Sequence, residues 1–407
     1  MADGPEVPAA LAGVGIVAMT PAFADAQPPM AGAMVESPQG ERVPVPDLTR
    51  WYRATLAPER DVVDAIEALS ALPEVAWSEP DYLRKPIGAL DAEVPALAGM
   101  ANHYTSLSSP NDPLFAQQWH LAAANVTQAW GYLESQGLPP GGSRDVVVAV
   151  IDTGVDYSHP DLAANMWVNA AELNGAPGVD DDGNGYVDDI HGVTTVSGQR
   201  SGNPMDDHGH GTHVAGIIAA QANNGLGGVG VAPNVQIMAI KAAQYSGFLA
   251  SSDIAAAIYY AVQHGADVIN MSFGGYARSQ VEEDALAVAF GQAVLVSAAG
   301  NDSNVNLPCP GGRDMYPAAY NWVLGAMAST QAGERAAFSN YDCTPQDTHE
   351  YELMAPGVQV WSTLPNEQYA AWSGTSMATP VVAGIAALAR TRWSDKDVYS
   401  SRFIMGQ

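Results

Sequence analysis

The chain has 407 residues and sets 44 Asp plus Glu against 16 Lys plus Arg, for a formal charge of −28. That balance disfavours polyanionic partners, because nucleic acid and anionic membranes are both gripped through Lys and Arg. With 47% apolar residues the chain can bury a full core, and its two cysteines exclude a disulfide-dense scaffold or a four-thiolate zinc site.

Residues 1–48 are rich in Ala, Pro and Gly without a sustained period and read as a leader or linker. Within them the apolar run Ala9 to Met19 is about half of what spans a bilayer. The small residues Ala22-Phe23-Ala24 after it suit a signal peptidase, but no Lys or Arg precedes it. A truncated secretory signal and a flexible leader are both open.

From residue 49 the pattern changes. Trp51 to Leu56 suits a strand; Val62, Val63, Ile66 and Leu69 share one helix face, Pro73 stops that helix, and Val75-Ala76-Trp77 is extended. Residues 49–85 thus read as a small α+β unit, too small to be stable alone and expected to pack on something larger. Residues 86–110 read as a linker.

Over residues 111–407 the rhythm is strand, helix, strand, helix. Val146 to Ile151, Val235 to Ile240, Val268 to Met271 and Val294 to Val296 are strand-like, with helical spacing at His213 to Ala220, Ile254 to His264 and Val281 to Phe290. The alternation predicts an α/β fold, a doubly wound parallel sheet with helices on both faces and functional loops at the carboxyl ends of the strands.

Three motifs carry chemistry. Asp152-Thr153-Gly154 follows the first of these strands, which places a carboxylate at the sheet's functional edge; a plain turn is the simpler reading. An aspartic protease would need a second such tripeptide, and the sequence has none. His208-Gly-His210-Gly-Thr-His213 admits two readings: a metal-ligating histidine cluster, or a single catalytic imidazole, His210, with His213 facing structure. Gly374-Thr375-Ser376-Met377-Ala378-Thr379-Pro380 leads into an apolar helix, where a serine is either an ordinary cap or a nucleophile beside backbone N–H groups. The glycines Gly225, Gly227 and Gly230 fit a dinucleotide fingerprint but follow a helix rather than a strand, the wrong context.

Together, Val150-Ile-Asp152-Thr-Gly154, His210-Gly-Thr-His-Val-Ala-Gly216 and Gly374-Thr-Ser376-Met-Ala-Thr-Pro380 resemble the subtilisin-like serine proteases, and Ser297-Ala-Ala-Gly-Asn301 resembles that family's oxyanion-hole loop. The order Asp, His, Ser is the family's own. The resemblance implies Ser376 as nucleophile, His210 as base, Asp152 as its orienting carboxylate and Asn301 as an oxyanion donor. It implies substrate contacts from Ser246, Gly247, Ser272, Phe273, Gly274 and Met315, with a taste for bulky apolar residues before the cut. The unit at 49–85 resembles the family's inhibitory propeptide, with the maturation cut in the linker that follows.

Calcium is the implied structural cofactor, with none needed for the chemical step. Asp180, Asp182, Asn184 and Asp188 fall at positions 1, 3, 5 and 9 of an EF-hand-like loop whose twelfth position is His191, so an irregular calcium loop or a solvated acidic turn is expected. By resemblance a second site draws on the side chains of Asp112, Asp161 and Asn224, with backbone carbonyls near Ala222, Leu226 and Gly228. Cys309 and Cys343 are expected as a pair closing a loop of roughly 34 residues, worth about 3–4 kcal/mol; two free thiols are the other reading. The expectation is therefore a secreted, calcium-stabilised, monomeric serine endopeptidase made as a zymogen, acting on proteins or peptides and held by its own propeptide. A metal-dependent hydrolase and an inactive calcium-binding scaffold are the competing readings. The unexplained acidic excess reads as a solvating surface suited to an extracellular, saline setting.

Overall fold

The structure is a computed structural model that describes residues 7–23, 25–88, 109–303, 314–342 and 351–406. At its centre lies a seven-stranded sheet in which every neighbouring pair runs parallel. In spatial order the strands are Leu353–Pro356, Leu324–Ser329, Val294–Ala298, Val268–Met271, Val147–Asp152, Gln236–Lys241 and Gly192–Thr194. All four strands expected from apolar runs are among them, Val268–Met271 with the expected ends.

These strands lack a polar face because both faces are covered. Val148 and Val150 pack with Val214 and Ile217 of the helix His210–Ala219 and with Met377 and Val381 of the helix Thr375–Arg392. Val147, Ala149 and Ile151 point the other way, toward Ile254 and Ile258 of the helix Ser251–Gln263 and Leu286 of the helix Gln280–Phe290. Fully burying one such aliphatic side chain contributes about 1.5–3 kcal/mol, which fixes the strand that ends in Asp152. From that strand the chain builds first toward Gly192–Thr194 and Gln236–Lys241, then crosses to Val268–Met271 on the other side. The strand order reverses there, opening a crevice beyond the carboxyl ends of the Asp152 and Met271 strands.

The amino-terminal region departs from its sequence reading. Residues 9–21, expected within a leader of irregular structure, form the helix Ala9–Val14 and the strand Ile16–Pro21, which pairs antiparallel with Tyr52–Leu56. The reason is tertiary: Leu11 and Ile16 are buried, so the apolar run supplies one wall of the small unit. A hairpin of Met34–Glu36 and Arg42–Pro44 follows, and the expected helix is present as Val62–Ser70, capped by the Asp61 carboxylate. The stretch 75–77 carries no strand. The residues read as linker also begin inside the fold, since Leu83–Pro86 is a strand continued by Ile87 and Gly88; residues 89–108 lie outside the described ones.

This unit rests on the two helices Ser251–Gln263 and Gln280–Phe290. Phe23 meets Tyr259 edge-on at 5.7 Å and Trp51 Nε1 donates to Asp284 at 2.8 Å. At the other terminus the short helix Ser401–Met405 buries Ile404 against the main core. Among the described residues no helix is long and apolar enough to cross a membrane.

Candidate active site

Asp152 is the last residue of its strand, and His210 opens its helix. The His210 Nδ1 lies 2.8 Å from Asp152 Oδ1, which also accepts the Thr153 N–H at 2.7 Å. Both side chains are 1% exposed, so the pair sits in a low-dielectric pocket. Burial alone would lower the imidazole's pKa; the charge and hydrogen bond of Asp152, helped by Asp206, outweigh it and hold His210 above its usual value. Among the described residues His210 Nε2 is buried without a hydrogen-bond partner, free to take a proton. Helix and strand approach closely here, since a Cβ on Gly211 would fall 2.0 Å from Gly154 O.

Ser376 is the second residue of the helix Thr375–Arg392 and is fully buried. Its Oγ lies 2.7 Å from Ile87 O and 2.9 Å from Ser272 O, two carbonyls that share one hydroxyl proton. Asn301 Oδ1 accepts from Thr375 N–H at 2.9 Å and from the Thr375 hydroxyl at 3.0 Å, which aims its amide outward. That amide, Nδ2, donates to Gly88 O at 3.0 Å. Gly374 leaves room for that amide, because a Cβ there would crowd Asn301 Nδ2 at 3.0 Å.

The cleft between these groups is filled by the chain itself. Leu83–Pro86 forms the middle strand of a three-stranded antiparallel sheet, with Pro86 opposite Phe273 and Lys85 opposite Gly274 on one side, and Arg84 opposite Leu249 on the other. Ile87 N–H donates to Ser272 O at 3.2 Å. The Ile87 side chain is 4% exposed and packs with Ala298, Ala299, Met315 and Tyr351. Gly274 keeps that pocket open, since a Cβ would stand 2.8 Å from Met315 Cγ and 3.1 Å from Ile87 Cδ1. Of the expected substrate contacts, Ser272, Phe273, Gly274 and Met315 meet this strand directly. Phe273 does so through its backbone, its ring being buried in the core beneath. Gly247 faces Pro86, whereas Ser246 is exposed in the turn before it.

Carboxylates that drew no attention in the sequence organise the surroundings. Asp206 Oδ1 accepts from His208 N–H, Gly209 N–H and the Thr153 hydroxyl, each at 2.9 Å, and so holds the loop that presents His210. Glu79, on the amino-terminal unit, accepts from Gln280 N–H at 2.8 Å and Val281 N–H at 3.2 Å, capping one helix. Asp81 caps the other through Ser252 N–H at 3.0 Å and the Ser252 hydroxyl at 2.7 Å. Both exploit the unsatisfied N–H groups and positive end of a helix. The only sequence signal was an acidic residue two or more positions before a motif or a strand.

The three histidines do not form a common ligand set. His213 Nε2 faces Ala370 O at 3.0 Å with its ring stacked 4.5 Å from Trp372, and burial pushes its pKa down to about 3, so it is a neutral core residue. His208 stands 6.5 Å from His210, ring to ring.

The expected calcium ligands fall into two groups. Asp161 is fully buried, accepts from Asn224 Nδ2 at 2.7 Å, and its Oδ2 has no hydrogen bond of normal geometry. Burial and the nearby Asp112 charge push its carboxyl up to about 7. Asp112 accepts the Asn223 and Asn224 N–H groups at 2.8 and 3.2 Å, which ties the segment near residue 112 to the loop that carries Ala222, Asn224, Leu226 and Gly228. A buried carboxylate with one oxygen unsatisfied among the described residues, beside a second carboxylate, is a donor set that a hard cation would satisfy.

In the other group, Asp180, Asp182 and Glu172 bring oxygens within 4.8 Å of one another. Glu172, eight residues ahead of Asp180, is the ligand candidate that the loop pattern missed. Asn184 lies within the loop but its side-chain oxygen accepts from Tyr186 N–H at 2.8 Å, and Asp188 turns away to Gly178 N–H at 2.9 Å. Cys309 and Cys343 lie outside the described residues.

Asp152 paired with His210 at the carboxyl edge of a doubly wound sheet, and a buried Ser376 at the start of a helix, are the residue types of a serine-hydrolase triad in the chain order Asp, His, Ser. The subtilase family model matches residues 143–402, and the chain belongs to that family. It is 35% identical, over 81% of its length, to "Thermophilic serine proteinase" of Bacillus sp. (strain AK1), covering 66% of that protein. Identity to thermitase of Thermoactinomyces vulgaris is 34% over 69% of this chain and 85% of thermitase. For the "Halolysin-like extracellular serine protease Nep" of Natrialba magadii it is 38% over 70% of this chain and 46% of that protein. The chain thus spans between 46% and 66% of these relatives' length, thermitase apart.

Proposed function

We propose that this chain is a secreted serine endopeptidase made as a zymogen, whose amino-terminal unit occupies the cleft until the enzyme cuts the Ile87–Gly88 bond. The observation that carries the reading is Ser376 Oγ at 2.7 Å from Ile87 O, in a crevice where His210 is already paired with Asp152.

In the reaction, Ser376 Oγ turns toward His210 and gives its proton to Nε2 while it bonds to the Ile87 carbonyl carbon. The carbonyl π electrons move to oxygen, where the Asn301 amide and Ser376 N–H meet them. Because Asn301 holds Gly88 O in the resting arrangement, it exchanges that carbonyl for Ile87 O as the bond becomes reactive. The imidazolium, stabilised by Asp152, then protonates Gly88 N; the C–N bond breaks and water later releases the acyl group.

Specificity for a bulky apolar residue before the cut rests on the Ile87 pocket. Asp161, Asn224 and carbonyls of the 222–228 loop, and separately Asp180, Asp182 and Glu172, would hold calcium, which would supply charge neutralisation and a tie between distant segments away from the reacting groups. Secretion is supported by the extracellular relative and the acidic surface. The reading takes residues 111–407 as the catalytic domain and the monomer as the working form.

The decisive experiment combines two measurements on the full chain: fluorophosphonate labelling, expected at Ser376, and amino-terminal sequencing after incubation, expected to begin at Gly88. Failure to label would sink the hydrolase; labelling with a start elsewhere would move the cut.

A further inference from the structure

Three residues before Ile87, Arg84 lowers its whole side chain into the body of the fold. The side chains of Arg84 and Glu282 are both 0% exposed. Arg84 Nε and Nη2 reach the two oxygens of Glu282 at 3.0 and 2.8 Å, a bidentate pair, and Nη1 donates to Ala277 O at 2.6 Å. Glu282 sits in the first turn of the Gln280–Phe290 helix, within the family-matched region, so this carboxylate stays with the enzyme when the amino-terminal unit leaves. Gly275 shapes the wall, since a Cβ there would stand 3.1 Å from Nη1.

We propose that Glu282, with Ala277 O and the Gly275 gap, forms a guanidinium-binding pocket that selects substrates with arginine at the fourth residue before the cut. The inference rests on the endopeptidase reading and on Ile87–Gly88 as the reacting bond.

A planar guanidinium satisfies both carboxylate oxygens and the carbonyl at once, which the point charge of lysine does not. An apolar side chain in the same place leaves Glu282 buried and unpaired, and a carboxylate meets repulsion, so discrimination comes from the penalty on wrong substrates as much as from the gain on the right one. Combined with the Ile87 pocket, the preferred substrate reads arginine, two further residues, then a branched aliphatic residue at the cut.

The test uses full-length protein that has processed itself, and two blocked peptides: Arg-Lys-Pro-Ile-Gly-Ala-Leu, the sequence of residues 84–90, and the same peptide with citrulline, the neutral isostere, in place of arginine. We expect kcat/KM to favour the arginine peptide by about 100-fold or more, the scale on which sites built around a buried polar group reject analogues. Glu282→Gln should shrink that ratio to less than about tenfold, and a folding failure of this variant leaves the wild-type ratio to decide. Equal cleavage of the two peptides by enzyme that still labels with fluorophosphonate overturns the pocket alone. No cleavage and no labelling overturns the endopeptidase reading and the pocket with it.

Discussion

Asp206 and Thr212 are joined twice: Asp206 Oδ2 accepts the Thr212 backbone N–H at 3.0 Å and its hydroxyl at 2.6 Å. The two residues bracket His210, so one buried carboxylate staples both ends of the turn that delivers the imidazole proposed as the base. Replacing it leaves several buried donors without an acceptor, each costing about 1–3 kcal/mol. Asp206→Ala is expected to lower the melting temperature by several degrees and kcat by tenfold or more, the scale of a lost positioning contact. Calorimetry and a steady-state assay check this, and near-normal values for both would dismiss the staple.

Removing the nucleophile should stop maturation outright. Ser376→Ala is expected to remain at full length on a denaturing gel, since loss of a triad serine costs on the order of a millionfold in turnover. The appearance of a product starting at Gly88 in this variant would point to another protease as the processing agent.

The pH profile follows from the His210–Asp152 pair. A base must be neutral to accept the serine proton, and Asp152 holds the His210 pKa above 6.5. Peptidase activity is therefore expected to rise with pH through a midpoint above that value. For stability the sign is opposite: a raised folded pKa contributes stability that is complete below the unfolded value of 6.5 and is lost as pH rises through the folded one. Asp152→Asn should reduce kcat and remove the elevation, and an unshifted activity midpoint in that variant would contradict the assignment.

The two helix caps predict how firmly the amino-terminal unit is held. In the inactive Ser376→Ala background, Glu79→Ala and Asp81→Ala each remove a carboxylate from a helix start, worth about 0.5–2 kcal/mol. Asp81 is also 3.1 Å from Arg53 Nε. Each change is expected to lower the melting temperature by a few degrees, with the pair close to additive because they cap different helices. Equal melting curves for parent and double variant would show that the two caps do not hold the unit.

Chelator addresses the acidic clusters. With Asp161 buried and its Oδ2 unsatisfied among the described residues, excess EDTA is expected to lower the melting temperature, and added calcium to restore it by mass action. Fluorophosphonate labelling at low temperature should persist, because no metal touches Ser376 in the proposed chemistry. A melting curve that ignores both additions would remove calcium from this protein.

The residues of the proposed triad stand out in the sequence because they are embedded in local motifs: Asp152 ends an apolar run, and His210 and Ser376 each open an apolar helix. The parallel strands were legible for a related reason, since a strand covered on both faces becomes an uninterrupted apolar run, as at Val268–Met271. Other features depend on partners far along the chain. Ile87 is unremarkable until Ser272 and Met315 surround it, and Glu282 looks like an ordinary acidic residue in a first helical turn until Arg84 arrives. Ile16–Pro21 pairs with Tyr52–Leu56 through a register that no local period announces. Glu172 precedes the loop it faces, outside the spacing rule by which calcium loops are recognised.

The occupied cleft also sets the kinetic order of activation. Ile87 is delivered to Ser376 by its own polypeptide, so the reacting groups meet at an effective concentration fixed by chain geometry and independent of how many molecules are in solution. Processing of the proposed zymogen is then first order: its half-time is the same in dilute and concentrated protein, and each molecule carries its own timer.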